Sequence, residues 1–126
     1  MKTSGTQKPL SPHLQIYAPQ LTSVMSILHR FTGIGFAAAL CLTCAWLYTL
    51  SQGEASYLNF CSWLKTPVLK LLLYAVLASV YYHLLNGVRY LIWSIGEGFE
   101  LRTVYNSGWL VASLVFTLTL LTVFLV

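Results

Sequence analysis

Three long apolar runs, separated by two short polar segments, constrain the fold of this chain more than any other feature of its sequence. A membrane-spanning helix needs about 20 mostly apolar residues to cross about 30 Å of hydrocarbon. The runs at 27–50, 68–93 and 108–126 each approach or exceed that length, and the third carries no charged residue. The sequence therefore predicts an all-α integral membrane protein with three transmembrane helices.

The segments outside these runs are polar and contain residues that interrupt helices. Gly, Ser, Asn and Pro67 occur within 51–67, and two closely spaced glycines occur within 94–107. We expect a loop at each place, the second with room for a short interfacial turn. The segment 1–25 has neither the apolar core of a signal peptide nor the Arg-rich character of a transit peptide. We expect it to remain cytoplasmic while the first spanning helix acts as the insertion signal.

The basic residues are divided unequally between the two ends of the predicted helices. More of them lie at the end that carries the N-terminus, which by the positive-inside rule predicts a cytoplasmic N-terminus. Three spans then place the C-terminus on the outer side. The group at the N-terminal end is Lys2, Lys8, Arg30, Arg89 and Arg102, and the opposite group is Lys65 and Lys70.

Composition argues against several classes of function. The chain is 8% charged, has no Asp and has three Glu, so a two-carboxylate hydrolytic site is not expected. The basic residues are scattered rather than clustered, so nucleic acid is not an expected partner. Cys41 and Cys44 lie in an apolar run without further ligands nearby, which is typical of buried thiols rather than of a metal site.

A histidine within the second predicted helix is the first candidate for chemistry, because ionisable groups inside a membrane are costly. His83 lies about 9 Å deeper along the helix than Arg89 and shares a helical face with Gly87, Tyr90 and Ser94. The glycine would let a flat macrocycle approach the backbone. The residues alone leave two interpretations open: an axial ligand of haem iron, or a histidine that hydrogen-bonds a neighbouring helix.

Haem ligation by His83 would carry a second expectation. His13 and His29 precede the first uncharged run, and we do not expect either to reach the depth of His83. If the iron takes two histidines, the second must come from another chain. This interpretation therefore predicts that the helices belong to a heteromeric bundle or a symmetric oligomer.

A second candidate cluster lies at the entrance of the first helix. Ser26 and Arg30 are four residues apart and share a helical face, with His29 beside them. A hydroxyl and a guanidinium together can hydrogen-bond a quinone carbonyl and stabilise negative charge on it. Arg30 or His29 could instead pair with a haem propionate, and a polar collar that sets helix depth is a further alternative.

Two stretches of the chain resemble the signatures of the succinate dehydrogenase cytochrome b membrane-subunit family. The first, KPLSPHLQIYAPQLTSVMSILHRFTGIG, contains SPHL, IY and SxxHRxTG, and the second, HLLNGVRYLIWS, contains a His, then Gly and Arg at the family spacing. The two occur in the family order, about 50 residues apart. The resemblance extends over the whole chain in span number, spacing and length.

The resemblance implies roles for particular residues. His83 would be the axial ligand of haem b, with the other ligand donated by a companion small membrane subunit. Ser26 and Arg30 would help form a ubiquinone pocket, and His29 and Arg30 would lie near the haem propionates. An iron–sulfur subunit and a flavoprotein subunit would complete the enzyme, so the chain would be an anchor and electron-transfer subunit rather than an enzyme by itself. A bacterial inner membrane or a mitochondrial inner membrane would contain it.

The chain departs from the family pattern at two positions. Tyr90 stands where a second His is common, and Ser94 stands where an Asp is common, so a propionate or proton role is not carried over to either. Three other functions fit the same residues. They are the anchor of a fumarate reductase, an anchor that has lost haem, and a homo-oligomeric transporter in which His83 relays protons and Arg89 binds substrate.

Overall fold

The computed structural model describes residues 18–125, and within that range every regular element is an α-helix. Three of the helices, α1, α3 and α4, are long and apolar enough to cross a membrane, with mean hydropathies of 1.7, 1.7 and 2.1. The predicted all-α class with three spanning helices is confirmed. The helices are α1 (Leu21–Ser51), α2 (Glu54–Leu64), α3 (Pro67–Ser94) and α4 (Leu101–Leu125).

The first spanning helix begins earlier than the apolar run that predicted it. α1 starts at Leu21 and is 31 residues long, because the polar stretch before the run contains no Gly or Pro to stop a helix. Ser26, His29 and Arg30 therefore lie inside α1, in its second and third turns. Residues 1–17, which include His13, Lys2 and Lys8, lie outside the described part of the chain.

The segment 51–67 was predicted to be a loop, and the prediction is wrong for most of its length. It contains α2, an 11-residue helix. Gly53 precedes it with a φ of 99°, a conformation that glycine adopts without strain, and this lets the chain turn from α1 into α2. Pro67 occupies the first turn of α3, where its missing N–H costs nothing. The helix-breaking residues thus flank α2 rather than interrupt it.

The second predicted loop is also shorter than expected. α3 ends at Ser94, and Gly96 and Gly98 have φ of 89° and 78°, so the chain reverses within 95–100. α4 then begins at Leu101, several residues before the predicted start of the third span. Two polar residues that were expected in the loop, Arg102 and Ser107, consequently belong to a helix.

α1, α3 and α4 pack as an antiparallel bundle in which α1 and α3 approach very closely. A Cβ atom placed on Gly35 would lie 2.5 Å from the Cβ atom of Ser79. Near the N-terminal end of α1, Met25 packs against α4, where a Cβ atom placed on Gly108 would lie 2.9 Å from the Met25 Sδ atom. Val104 and Val111 of α4 are also buried. Most other large apolar side chains are exposed, as expected where lipid or another membrane chain covers the helices.

Candidate functional site

The two histidines of the described chain lie face to face between α1 and α3. The ring centroids of His29 and His83 are 4.1 Å apart and the ring planes differ by 6°. The expectation that His29 does not reach the depth of His83 is therefore wrong. Because α1 begins at Leu21 and runs antiparallel to α3, its third turn lies level with the middle of α3.

The imidazole of His83 is held by α1 on three sides. Its Nδ1 atom lies 3.3 Å from the carbonyl oxygen of His29. Its ring lies over Gly33, where an added Cβ would be 3.4 Å from Cε1, and the ring of Phe36 stacks on it at 5.5 Å. Residues 29, 33 and 36 follow the i, i+4, i+7 pattern of one helical face. The sequence shows this spacing, but it does not show that the helical face formed by these three residues contacts His83.

The contact with the His29 carbonyl decides which nitrogen of His83 is available. A neutral imidazole that donates its Nδ1–H to this carbonyl leaves the lone pair of Nε2 free. Within residues 18–125, Nε2 has no hydrogen-bond partner. Histidines that bind metals typically donate their other ring N–H to a carbonyl or carboxylate in this way. The hydrogen bonding of His83 therefore meets this one requirement of an axial haem ligand.

The open notch expected over Gly87 is not present. A Cβ on Gly87 would lie 3.9 Å from Cε1 of His29, and Tyr90 packs its ring edge-on against the same imidazole at 4.9 Å. The face formed by His83, Gly87 and Tyr90 is thus packed against α1. Ser94 is exposed and hydrogen-bonds the carbonyl of Leu91 on its own helix, so it takes no part in this contact.

Ser26 and Arg30 lie on the same part of α1 as His29 but differ from each other in exposure. Ser26 is half-buried and Arg30 is exposed, and among the described residues the guanidinium of Arg30 forms no ion pair. The structure thus brings the three predicted residues together on one helix. It turns the His29 ring inward onto His83 and leaves Arg30 free to meet a ligand or a partner chain.

Arg89 has a different role from the one considered in the transporter interpretation. Its side chain is 4% exposed. Its Nε donates to Ser107 Oγ at 2.9 Å, and a terminal nitrogen donates to the Val104 carbonyl at 2.8 Å. The guanidinium also lies 4.1 Å from the ring centroid of Trp93. Arg89 therefore joins α3 to α4, a function that only the early start of α4 makes possible.

Two further polar groups are buried near this end of the bundle. Asn86 is fully buried, and its amide nitrogen and oxygen have no hydrogen-bond partner among residues 18–125. The Nδ1 atom of His29 is also buried without a partner there. Sequence reasoning did not single out Asn86, although a polar side chain between His83 and Gly87 in an apolar helix was a visible signal.

Taken together, these features define a small polytopic membrane protein with a candidate axial-ligand histidine. Among residues 18–125, no three His, Cys, Asp or Glu side chains cluster as a metal-binding group. A single imidazole with a free ring nitrogen can ligate the iron of a haem, whose macrocycle supplies the other nitrogen ligands.

Comparison with known proteins identifies the family. The family described as succinate dehydrogenase/fumarate reductase transmembrane subunit matches residues 4–122. The succinate dehydrogenase cytochrome b556 subunit of Rickettsia felis is 41% identical over 115 residues, which cover 91% of this chain and 90% of the relative. The cytochrome b560 subunit of Marchantia polymorpha is 38% identical over 108 residues, covering 80% and 77%. The human mitochondrial cytochrome b560 subunit is 35% identical over 109 residues, covering 85% and 64%.

The chain belongs to the succinate dehydrogenase/fumarate reductase transmembrane subunit family. The resemblance seen in the two sequence motifs is confirmed.

Proposed function

We propose that this chain is the membrane-anchoring cytochrome b subunit of a succinate dehydrogenase, that it ligates haem b through His83, and that it helps to form a ubiquinone site. The observation that carries the proposal is the anchoring of His83 Nδ1 by the His29 carbonyl, which leaves Nε2 available. The names of the relatives, cytochrome b556 and b560 subunits of succinate dehydrogenase, support it.

The second axial ligand would come from a companion membrane subunit. The rings of His29 and His83 stack face to face with their centroids 4.1 Å apart, an arrangement in which the two histidines would not hold the same iron. His29 would therefore orient His83 through its carbonyl. When bound, the haem would supply a one-electron redox centre.

Arg30 could contact either of two ligand groups at this end of the bundle, a haem propionate or a quinone carbonyl. Its exposed guanidinium, beside His29, could pair with a haem propionate. A contact between His29 and a propionate would involve Nε2, because Nδ1 is buried. With the hydroxyl of Ser26 one turn away, Arg30 could also hydrogen-bond a quinone carbonyl and stabilise the negative charge that develops during reduction.

The chain would act as part of a complex and not as an enzyme by itself. We propose that a flavoprotein subunit oxidises succinate, that an iron–sulfur subunit carries the electrons, and that a second small anchor packs against the exposed apolar faces. Arg30, Arg89 and Arg102 lie at one end of the described bundle, and Lys65 and Lys70 lie at the other, which favours a cytoplasmic N-terminus. A bacterial inner membrane is the proposed location, with the mitochondrial inner membrane as the alternative.

The other functions considered have less in their favour. A fumarate reductase anchor belongs to the same family, but the relatives compared above are named for succinate dehydrogenase. For the transporter interpretation, the proposed substrate residue Arg89 is buried and its guanidinium is engaged by α4.

Co-purification tests the proposal. The tagged chain, solubilised from its native membrane, should bring with it a flavoprotein, an iron–sulfur protein and b-type haem, and the sample should reduce ubiquinone with succinate. Ser26→Ala and Arg30→Leu should each lower quinone reduction while leaving succinate oxidation by a soluble electron acceptor unchanged. A chain that purifies alone and without haem would contradict the proposal.

A further inference from the structure

A cavity lies between α2 and α3, at the end of the bundle opposite the histidine pair. Its volume is about 560 Å³. It exists because the segment after α1 folds as a helix and packs against the start of α3. The side chains that line it are Cys61, Leu64, Lys65, Lys70, Leu73 and Tyr74.

This cavity is positively charged. It is lined by two lysines and by no acidic residue, and within residues 18–125 neither lysine forms an ion pair. The ammonium of Lys70 lies 5.8 Å from the ring centroid of Tyr74. The acid nearest in sequence, Glu54, is at the far end of α2, about 15 Å from Leu64 at the helical rise.

The position of Lys70 is unfavourable for its own helix. α3 begins at Pro67, so Lys70 lies in the first turn, where the helix dipole already supplies partial positive charge and a cation is destabilising. A lysine at this place, next to Lys65, concentrates positive charge where an anion would relieve it. Helix stability therefore does not explain the pair of lysines.

An apolar groove adjoins the charged cavity on the side toward the middle of the membrane. A second cavity of about 170 Å³ shares Leu64 and Leu73 with the first. It extends to Val76 of α3, about 9 Å deeper than Lys70 at the helical rise, and to Ala38 of α1. The lining of the groove contains no charged side chain. A cavity lined by two lysines beside a groove lined by apolar side chains matches the polarity of an amphiphile with an anionic head and a hydrocarbon tail.

We propose that this groove binds an anionic phospholipid, with the phosphate group between Lys65 and Lys70 and an acyl chain along Leu73 and Val76. A small soluble anion would leave the apolar groove unused. A zwitterionic lipid would bring its own cation into a cavity that has no acid to pair with it. The inference goes beyond the proposed function and does not depend on haem or quinone.

Native mass spectrometry of the intact complex tests the proposal. The complex is equilibrated in nanodiscs of equimolar phosphatidylglycerol and phosphatidylcholine, extracted into detergent, and examined for retained lipid. The wild type should retain phosphatidylglycerol in preference to phosphatidylcholine. Each of Lys65→Gln and Lys70→Gln should lower that retention about fivefold, and the double variant about 25-fold, since a basic residue at a membrane surface contributes about fivefold to binding of an anionic lipid.

Two controls separate charge from shape. Lys65→Arg combined with Lys70→Arg should keep the preference, because both charges remain. Ala38→Leu should lower retention of the lipid by filling the groove while leaving both charges in place. Inorganic phosphate should not displace the lipid; displacement by phosphate would show a simple anion site and overturn the proposal. Equal retention of the two lipids by the wild type, or unchanged retention in the double Gln variant, would also overturn it.

Discussion

The close approach of α1 and α3 at Gly35 predicts that even one added methyl group will disturb the histidine pair. The Cβ of Gly35→Ala would lie 2.5 Å from Ser79 Cβ, whereas carbon atoms in contact are about 3.5–4.0 Å apart, so the helices must separate by about 1–1.5 Å. Ser79 cannot turn away, because the obstructing atom is its Cβ. Overpacking of this kind costs about 1–3 kcal/mol.

The same separation should weaken the anchoring of His83. Its Nδ1 lies 3.3 Å from the His29 carbonyl, and opening the helices by about 1 Å would take this contact beyond hydrogen-bonding range. We therefore expect Gly35→Ala to lower the unfolding midpoint of the solubilised complex in dodecyl sulfate and to shift its haem absorption band.

A second substitution provides the control. Ser79→Gly removes the Cβ that obstructs the methyl group introduced by Gly35→Ala, at a cost of about 0.5 kcal/mol in helix propensity. The double variant should therefore recover most of the stability and the normal spectrum, with a coupling energy of about 1–3 kcal/mol. If Gly35→Ala is as stable as the wild type, or if the double variant is no better than the sum of the single ones, the described helix packing is refuted.

Three further substitutions test other contacts of the bundle. Arg89→Lys, which cannot reproduce the paired contacts with Ser107 and Val104, should lower the free energy of unfolding by about 2 kcal/mol; an unchanged denaturation midpoint would contradict the role assigned to the guanidinium. Tyr82→Phe removes the hydrogen bond to the Met25 carbonyl and should cost about 1 kcal/mol without moving the haem band; a spectral shift in this variant would be unexpected. Phe36→Ala, followed by difference spectroscopy, should broaden or shift the haem band by releasing one face of His83; an unchanged band would show that this contact is unimportant.

The spanning helices could be predicted from the sequence because a membrane imposes a simple requirement. A run of about 20 apolar residues without charge indicates a membrane-spanning helix. Residues 108–126 are the clearest example in this chain. The ends of the helices were harder to predict, since hydropathy marks where a helix leaves the hydrocarbon and not where its hydrogen bonds stop. α1 and α4 both extend into polar sequence for this reason.

α2 was missed because its composition resembles that of a loop. The residues 54–64 mix polar and aromatic side chains, and the run is too short and too polar to register as a span. Gly53 and Pro67 nevertheless lie just outside its two ends, and Gly and Pro occur at the ends of helices as well as in loops. The charged cavity on α2 could not have been predicted without this helix.

The candidate residues could be selected from the sequence, but their relative depth required the structure. The stacking of His29 on His83 depends on the register between α1 and α3, in which Gly35 lies opposite Ser79. Register between helices far apart in sequence leaves no local pattern. The attachment of Arg89 to α4 could not be predicted either, because Ser107 was expected to lie in a loop.

A reduced-minus-oxidised optical spectrum of the purified complex, compared between His83→Ala and His29→Ala, tests the central claim most directly. His83→Ala should lose or strongly shift the b-type haem signal. His29→Ala should retain haem, because the His29 carbonyl that orients His83 is part of the backbone. A wild-type complex without a b-type signal, or a His83→Ala variant with an unchanged one, would contradict the assignment of His83 as the haem ligand.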